Sequence, residues 1–163
     1  LNPDESLVRN LRRLSRNAGI TAFTEAAMWT RAVVVWFGLL VLAFVNGAVR
    51  EATLVPAFGN NVAHAISSVT LSGMIAVLAW MTIGWIGPSS SAAAWQVGAL
   101  WLALTLAFEF LAGHYLFGNP WNRLLADYNV LRGRIWIVVL LTTVCAPYLT
   151  ARIAHMLRDR VLP

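Results

Sequence analysis

Four stretches of the chain, 31–49, 62–85, 94–117 and 135–153, run almost without a charged residue. A hydrocarbon core about 30 Å thick takes roughly 20 residues of helix to cross. Lipid offers the backbone no hydrogen-bond partners, so each stretch is expected to satisfy its own amides as a transmembrane helix. Polar and helix-breaking residues separate them: Pro56 with Gly59-Asn60-Asn61, then Gly87-Pro88 with three serines, then Gly118-Asn119-Pro120 and a polar run to Gly133. The expected architecture is an all-α, integral-membrane bundle of four transmembrane helices, with 25–163 as the membrane domain and 1–24 as an arm before it. No internal repeat is visible.

Two shorter segments carry an amphipathic pattern. In 4–18, Leu7, Leu11, Leu14 and Ala18 share one helical face, and Arg9, Arg12, Arg13 and Arg16 occupy the rest. Asp4, Glu5 and Ser6 suit its start and Asn17-Ala18-Gly19 its end. A basic amphipathic helix of this kind lies at the headgroup level of an anionic leaflet or docks onto a partner. After the third stretch, Asn119 and Pro120 read as a cap and a first helical position. Trp121, Leu124, Leu125, Tyr128 and Leu131 then form a stripe, which predicts a short interfacial helix between the third and fourth spans. Trp29, Trp85, Trp95 and Trp136 fall near span ends, where indoles anchor at the headgroups. Pro147 inside the fourth stretch predicts a kink, with Thr142, Thr143 and Thr150 able to satisfy freed backbone groups.

Composition narrows the class further. Of 163 residues 59% are hydrophobic and only 12% charged, about half the charge of an ordinary soluble domain. This excludes a soluble enzyme, a disordered tail, a disulfide scaffold built on the single Cys145, and a nucleic-acid reader, the net charge of +5 notwithstanding. All twelve cationic Lys/Arg positions are arginine. With both termini on one side, that side holds Arg9, Arg12, Arg13, Arg16, Arg31, Arg152, Arg158 and Arg160. The other holds Arg50, Arg123, Arg132 and Arg134. The positive-inside rule then puts the termini in the cytoplasm.

Candidate chemistry gathers at the outer end. Glu109, flanked by Phe108 and Phe110, lies about two turns inside the third stretch, and a carboxylate at such depth marks a functional site by default. Gly98, Leu102, Thr105, Glu109 and Ala112 share one face, which should point into the bundle. On the second stretch His64, Ser68, Ser72 and Ala76 form a small-residue ridge suited to close helix packing. Arg50, Glu51, His64, His114, Asp127, Arg132 and Arg134 converge with Glu109 on the same end. Three readings compete: Glu109 pairs with Arg50 or His64, or is protonated, and only joins helices. Alternatively it is a protonation or ligand site in an outer vestibule for a small solute or lipid headgroup. In the third reading His64 and His114 hold a haem, pigment or metal, although the pair lacks close ligand spacing. No cofactor is expected on balance.

The residues Asn46-Gly47, Arg50-Glu51, Phe108-Glu109-Phe110, Gly113-His114-Tyr115, Trp121, Leu124-Leu125, Asp127-Tyr128-Asn129, Gly133-Arg134 and Trp136 together resemble a group of small, uncharacterised bacterial four-span inner-membrane proteins. The likeness covers roughly 33–150 and leaves out the arginine-rich leader. It implies a bacterial inner membrane and no reaction. The expectation for function is a non-enzymatic accessory or assembly subunit of a larger membrane complex, with lipids and other integral membrane subunits as partners. The alternative is a small transporter or a solute- or lipid-binding protein working through Glu109.

Overall fold

The computed structural model describes residues 3–116, 118, 120–122 and 135–161, without the side chains of 3–18, 20 and 161. Among the described residues the chain is all helix and turn: α1 (Pro3–Val49), a π-helical turn (Arg50–Leu54), α2 (Val55–Ile86), α3 (Ser91–Leu111), a second π-helical turn (Ala112–Leu116) and α4 (Trp136–Val161). Apolar side chains cover the outside of this bundle. Val34, Val41, Val69, Val77 and Leu141 are each more than half exposed. A contiguous apolar exterior of this kind is what lipid, rather than water, accommodates.

The expectation of four separate membrane-spanning helices is corrected here. Among the described residues three helical runs are long and apolar enough to cross a bilayer: Thr21–Ile86, Ser91–Leu116 and Trp136–Arg160. The first is 66 residues long because the gap expected around Pro56 is itself helical. Pro56 stands at the start of α2, directly after the π turn whose Val55 N–H bonds the Arg50 carbonyl. A proline within a helical run deletes one backbone bond and crowds a carbonyl of the preceding turn, and the change of ladder falls beside it. The π turn carries the helix from Val49 into Val55. Helical dihedrals fail at one residue only, Gly59, with φ 74° and ψ 166°. A straight helix of that length would measure about 99 Å. Yet Asn46 Nδ2 donates to Ser67 Oγ at 2.6 Å, and Arg31 Nη1 to the Trp85 carbonyl at 2.9 Å. The run is therefore doubled back at Gly59, a conformation reachable there because glycine has no Cβ.

Other boundaries follow local chemistry. Gly87, left-handed at φ 68°, ends α2 and donates its N–H to the Ile83 carbonyl. Ser90 caps α3 by accepting from the Ala93 N–H at 3.1 Å, a typical N-cap bond. The expected stop at Asn17-Ala18-Gly19 is missing: α1 continues unbroken from Pro3 into the bundle, so the arm is an extension of the first helix rather than a separate surface helix. The expected interfacial helix falls largely on 123–134, outside the described residues. Helix α4 passes through Pro147 without interruption. The Thr142 and Thr143 hydroxyls bond the Val138 and Val139 carbonyls, and Thr150 bonds those of Ala146 and Pro147.

The core lies towards the Gly87 end. It joins Met28, Ala32, Val35 and Trp36 of α1 to Ile75, Ala79 and Ile86 of α2, Val97 and Trp101 of α3, and Ala146 of α4. Trp101 is fully buried and its Nε1 donates to the Ala32 carbonyl at 2.8 Å. Beside it Gly98 sits against α4 so closely that an added Cβ would overlap the Val144 carbonyl and lie 2.9 Å from its carbon. On α2 the buried residues are Ala63, Ser67, Ser68, Leu71, Ile75, Ala79, Ile83 and Ile86. The packing ridge is thus turned from the expected one: Ser68 is buried, Ala76 is exposed, and His64 and Ser72 are half-buried. Small residues stand on both rows, so size did not distinguish them.

Candidate functional site

At the opposite end the described residues leave a gap between the helices. A cavity of about 550 Å³ lies between α1, α2, α3 and α4. Its α1 wall runs from Trp36 to Arg50, about 21 Å along the helix and longer than the depth of one hydrocarbon leaflet, about 15 Å. Most of the lining is apolar, Leu39, Leu71 and Ile75 among it. The cavity also reaches the surface. Phe44, Ala48 and Glu51 line it and are at the same time exposed on the outside.

The polar groups of the cavity have defined settings. Trp36 Nε1 donates to Thr105 Oγ1 at 3.2 Å, deep on the wall. Trp136, the first residue of α4, donates its Nε1 to Glu109 Oε2 at 3.1 Å. Glu109 itself is half-buried on the face of α3 that also bears Thr105. Nearer the mouth Arg50 donates through Nε and Nη2 to Glu51 Oε1, at 3.2 and 3.0 Å. This is an exposed neighbour pair, worth little in stability, and it gives the Arg50 charge a counter-ion. Three aromatic rings stand edge to face along one wall: Trp36 and Phe108 at 6.4 Å between centroids, Phe108 and Phe44 at 5.8 Å.

Both π turns lie at this end. One carries Arg50 and Glu51, the other Gly113, and all three residues line the cavity. A π turn inserts one residue into a helical ladder and shifts the side chains on either side of it. Here it rotates Arg50 and Glu51 relative to the regular face of α1, and Gly113 relative to that of α3. Such turns are frequent at functional sites, and two of them lie at this end of the bundle.

The candidates from the sequence divide into three sets. Arg50, Glu51 and Glu109 share the cavity. His64, on α2, and His114 are not among its lining residues. His114 stacks on Trp121 at 4.3 Å and meets Tyr115 edge-on. Among the described residues no group of three or more His, Cys, Asp or Glu side chains is placed to hold a metal ion. Asp127, Arg132 and Arg134 lie outside the described residues, as do the side chains of Arg9, Arg12, Arg13 and Arg16. The Gly98-to-Ala112 face of α3 does point inward: Gly98 is buried, and Leu102, Thr105, Glu109 and Ala112 are half-buried.

Two contributors were missed. Trp136 was read as a headgroup anchor but is half-buried and bonds Glu109, whereas Trp85, Trp95 and Trp121 are exposed. Trp36, inside the apolar run of its stretch, supplies the deep donor. Its signal was available: an indole N–H needs a partner when buried.

No protein-family model, curated protein or solved structure matches the chain. With three long apolar helical runs in place of four separate spans, the resemblance to four-span bacterial proteins is withdrawn.

Proposed function

We propose that this chain is a membrane-embedded binding protein that holds one amphiphilic or otherwise membrane-soluble molecule in the cavity between its helices. The single observation that supports this reading is the shape and chemistry of that cavity. It is long and mostly apolar, it reaches the exposed side chains of Phe44 and Ala48, and among the described residues its charged lining is Arg50, Glu51 and Glu109 at one end. Its volume lies within the usual range for small-molecule sites, about 300–1,000 Å³. A water-soluble solute would gain little from such walls. An amphiphile would place its apolar body against Leu39, Leu71 and Ile75 and its polar group beside Glu109.

The arrangement of charge supports an orientation. The doubled-back first run brings Arg31 beside Trp85, and α3 and α4 return the chain towards that end, where Trp95 of α3 stacks on Tyr148 of α4. Arg31, Arg152, Arg158 and Arg160 belong to this end, and the extension of α1 adds Arg9, Arg12, Arg13 and Arg16. On the positive-inside rule this is the cytoplasmic side, and the cavity mouth faces outward.

Gly47 offers a direct test. It lines the cavity, and a Cβ added there meets nothing within 4 Å, so Gly47→Phe fills the space without disturbing the backbone. Native mass spectrometry of chain extracted in mild detergent should find one retained amphiphile per wild-type chain and none on Gly47→Phe. Equal retention by both, or retention by neither, would remove the proposal.

A second reading, membership of a larger membrane assembly, is favoured by the helical extension of α1, which runs from Pro3 without a break into the bundle. Deleting residues 1–20 should release a stoichiometric partner during gentle purification while leaving the bundle folded. Both roles are compatible in one chain.

A further inference from the structure

Resting on the reading of the α1 extension as an assembly element, we propose that it pairs with the same extension of a second copy of this chain, parallel and side by side. Helix α1 is unbroken from Pro3 to Val49. A helix continuous with a membrane-crossing one leads away from the bilayer rather than along its surface. It leaves the bundle at Met28, which shares the core with Ile86 and Ala93 at the Gly87 end. Before Met28, residues 21–26 are exposed over more than a full turn, so no helix among the described residues covers them. The leucine stripe stands further out. Even Ala18, its nearest member, is about 15 Å along the helix from Met28, and the headgroup layer is only about 5–8 Å deep. The stripe is therefore in water, where an apolar surface gains by meeting another.

The register fits an identical partner. Leu7, Leu11, Leu14 and Ala18 alternate in steps of four and three, the spacing of a coiled-coil seam. The stripe is also narrow, as a seam is, where a helix laid on a broad apolar surface carries an arc of about 100° or more. Val8 and Ser15 flank it on one side and Asn10 and Asn17 on the other, none of them charged. The positions of Arg9, Arg12, Arg13 and Arg16 all fall within about 50° of the line opposite the seam, at 3.6 residues per turn. Two copies facing each other thus meet no like charge between Leu7 and Ala18. Asp4 and Glu25 hold the seam positions beyond Leu7 and Thr21, and like charges there end the contact. Parallel pairing follows from the membrane, because copies inserted the same way present this seam on the same side and at the same height. Confinement to one bilayer raises their effective concentration, so a seam too short to join free peptides suffices.

Single cysteines in a Cys145→Ser background test the pairing in isolated membranes that contain the full chain. Leu11→Cys and Leu14→Cys lie on the seam, Arg9→Cys and Arg16→Cys opposite it. All four precede the part of α1 that enters the bundle, so the bundle folds in each. Under mild oxidation the two seam variants should give a covalent dimer of this chain several-fold more than the two opposite ones. Adding Leu7→Ser and Leu11→Ser together should cut the Leu14→Cys dimer several-fold, an effect that random collision in the membrane would not show. Equal cross-linking on both faces, no dimer through the seam, or a seam dimer indifferent to the lost leucines would overturn the proposal. Gentle purification of chain lacking residues 1–20 then shows what falls with it. Loss of a different protein, stoichiometric with the wild-type chain, would keep the assembly reading and replace the second copy as partner. Loss of nothing would remove both.

Discussion

At the Gly87 end of the bundle the helices touch backbone to backbone; at the other end they stand apart. The first region has Trp101 sealed between α1 and α3, with Gly98 leaving no room for a methyl group against Val144. The second has a cavity of about 550 Å³, two π turns and a half-buried carboxylate. Both are built from the same kinds of residue, small side chains, indoles and aliphatics. The contrast teaches that apolar composition does not decide whether an interior is closed. In lipid there is no hydrophobic force between helices, and close approach depends on shape and on polar contacts. Gly98 supplies the shape at one end. At the other, Trp36, Phe44 and Phe108 hold the helices at a distance.

Substitutions at matched positions should break or sharpen this contrast. The largest effect is expected for Trp101→Ala, which opens a void in the closed region and removes the bond to Ala32. A loss of about 3–5 kcal/mol is the usual range for such a deletion, read as a fall in unfolding midpoint in detergent. Next comes Gly98→Ala, where the added methyl overlaps backbone that cannot move aside. Overpacking of this kind costs about 1–3 kcal/mol. The same change at Gly47, in the open region, should leave the midpoint unchanged or slightly raised, because the methyl meets nothing and helix propensity improves by about 1 kcal/mol. A Gly47→Ala variant as unstable as Gly98→Ala would mean that the cavity collapses in the folded protein.

Smaller effects should follow from the polar contacts. Asn46→Ala removes the bonds to the Ser67 hydroxyl and carbonyl that hold α1 against α2. Bonds between helices in lipid average about 0.6 kcal/mol and reach about 1.7, so a modest fall in midpoint is expected. Trp136→Phe should be smallest in stability, since it keeps the ring and deletes one donor to Glu109. Its readout is a changed affinity for the cavity ligand at nearly unchanged midpoint. A large stability loss with unaltered binding would make Trp136 a structural strut and not part of the site.

Much of this was legible in the residues themselves. The long apolar stretches gave the helices, Gly87-Pro88 gave the reversal after α2, and the period of Gly98, Thr105 and Glu109 gave the inward face of α3. The doubling back at Gly59 was harder to read. Pro56 and the glycine-asparagine cluster announce a break, but proline is also at home in the first turn of a helix, and one glycine can reverse the chain without a loop. The π turns have no signature in sequence, because the extra residue is accommodated by packing and not by residue type. Trp136 followed the pattern of a headgroup anchor, and only the placement of α4 against α3 turned its N–H to Glu109. Whether a small-residue row or its neighbour faces inward was equally undecided on α2, where Ala63 and Ser67 lie beside His64 and Ser68.

The most direct measurement is ligand protection of a single thiol placed in the cavity wall. In a Cys145→Ser background, Gly47→Cys and the outward-facing Val41→Cys are reacted with a membrane-soluble maleimide in nanodiscs, with and without dodecyltrimethylammonium or dodecanol. An occupied cavity predicts that at least one of the two amphiphiles slows labelling at 47 severalfold and that neither changes it at 41. Equal labelling at both positions, unmoved by either amphiphile, would show that no ligand enters between the helices.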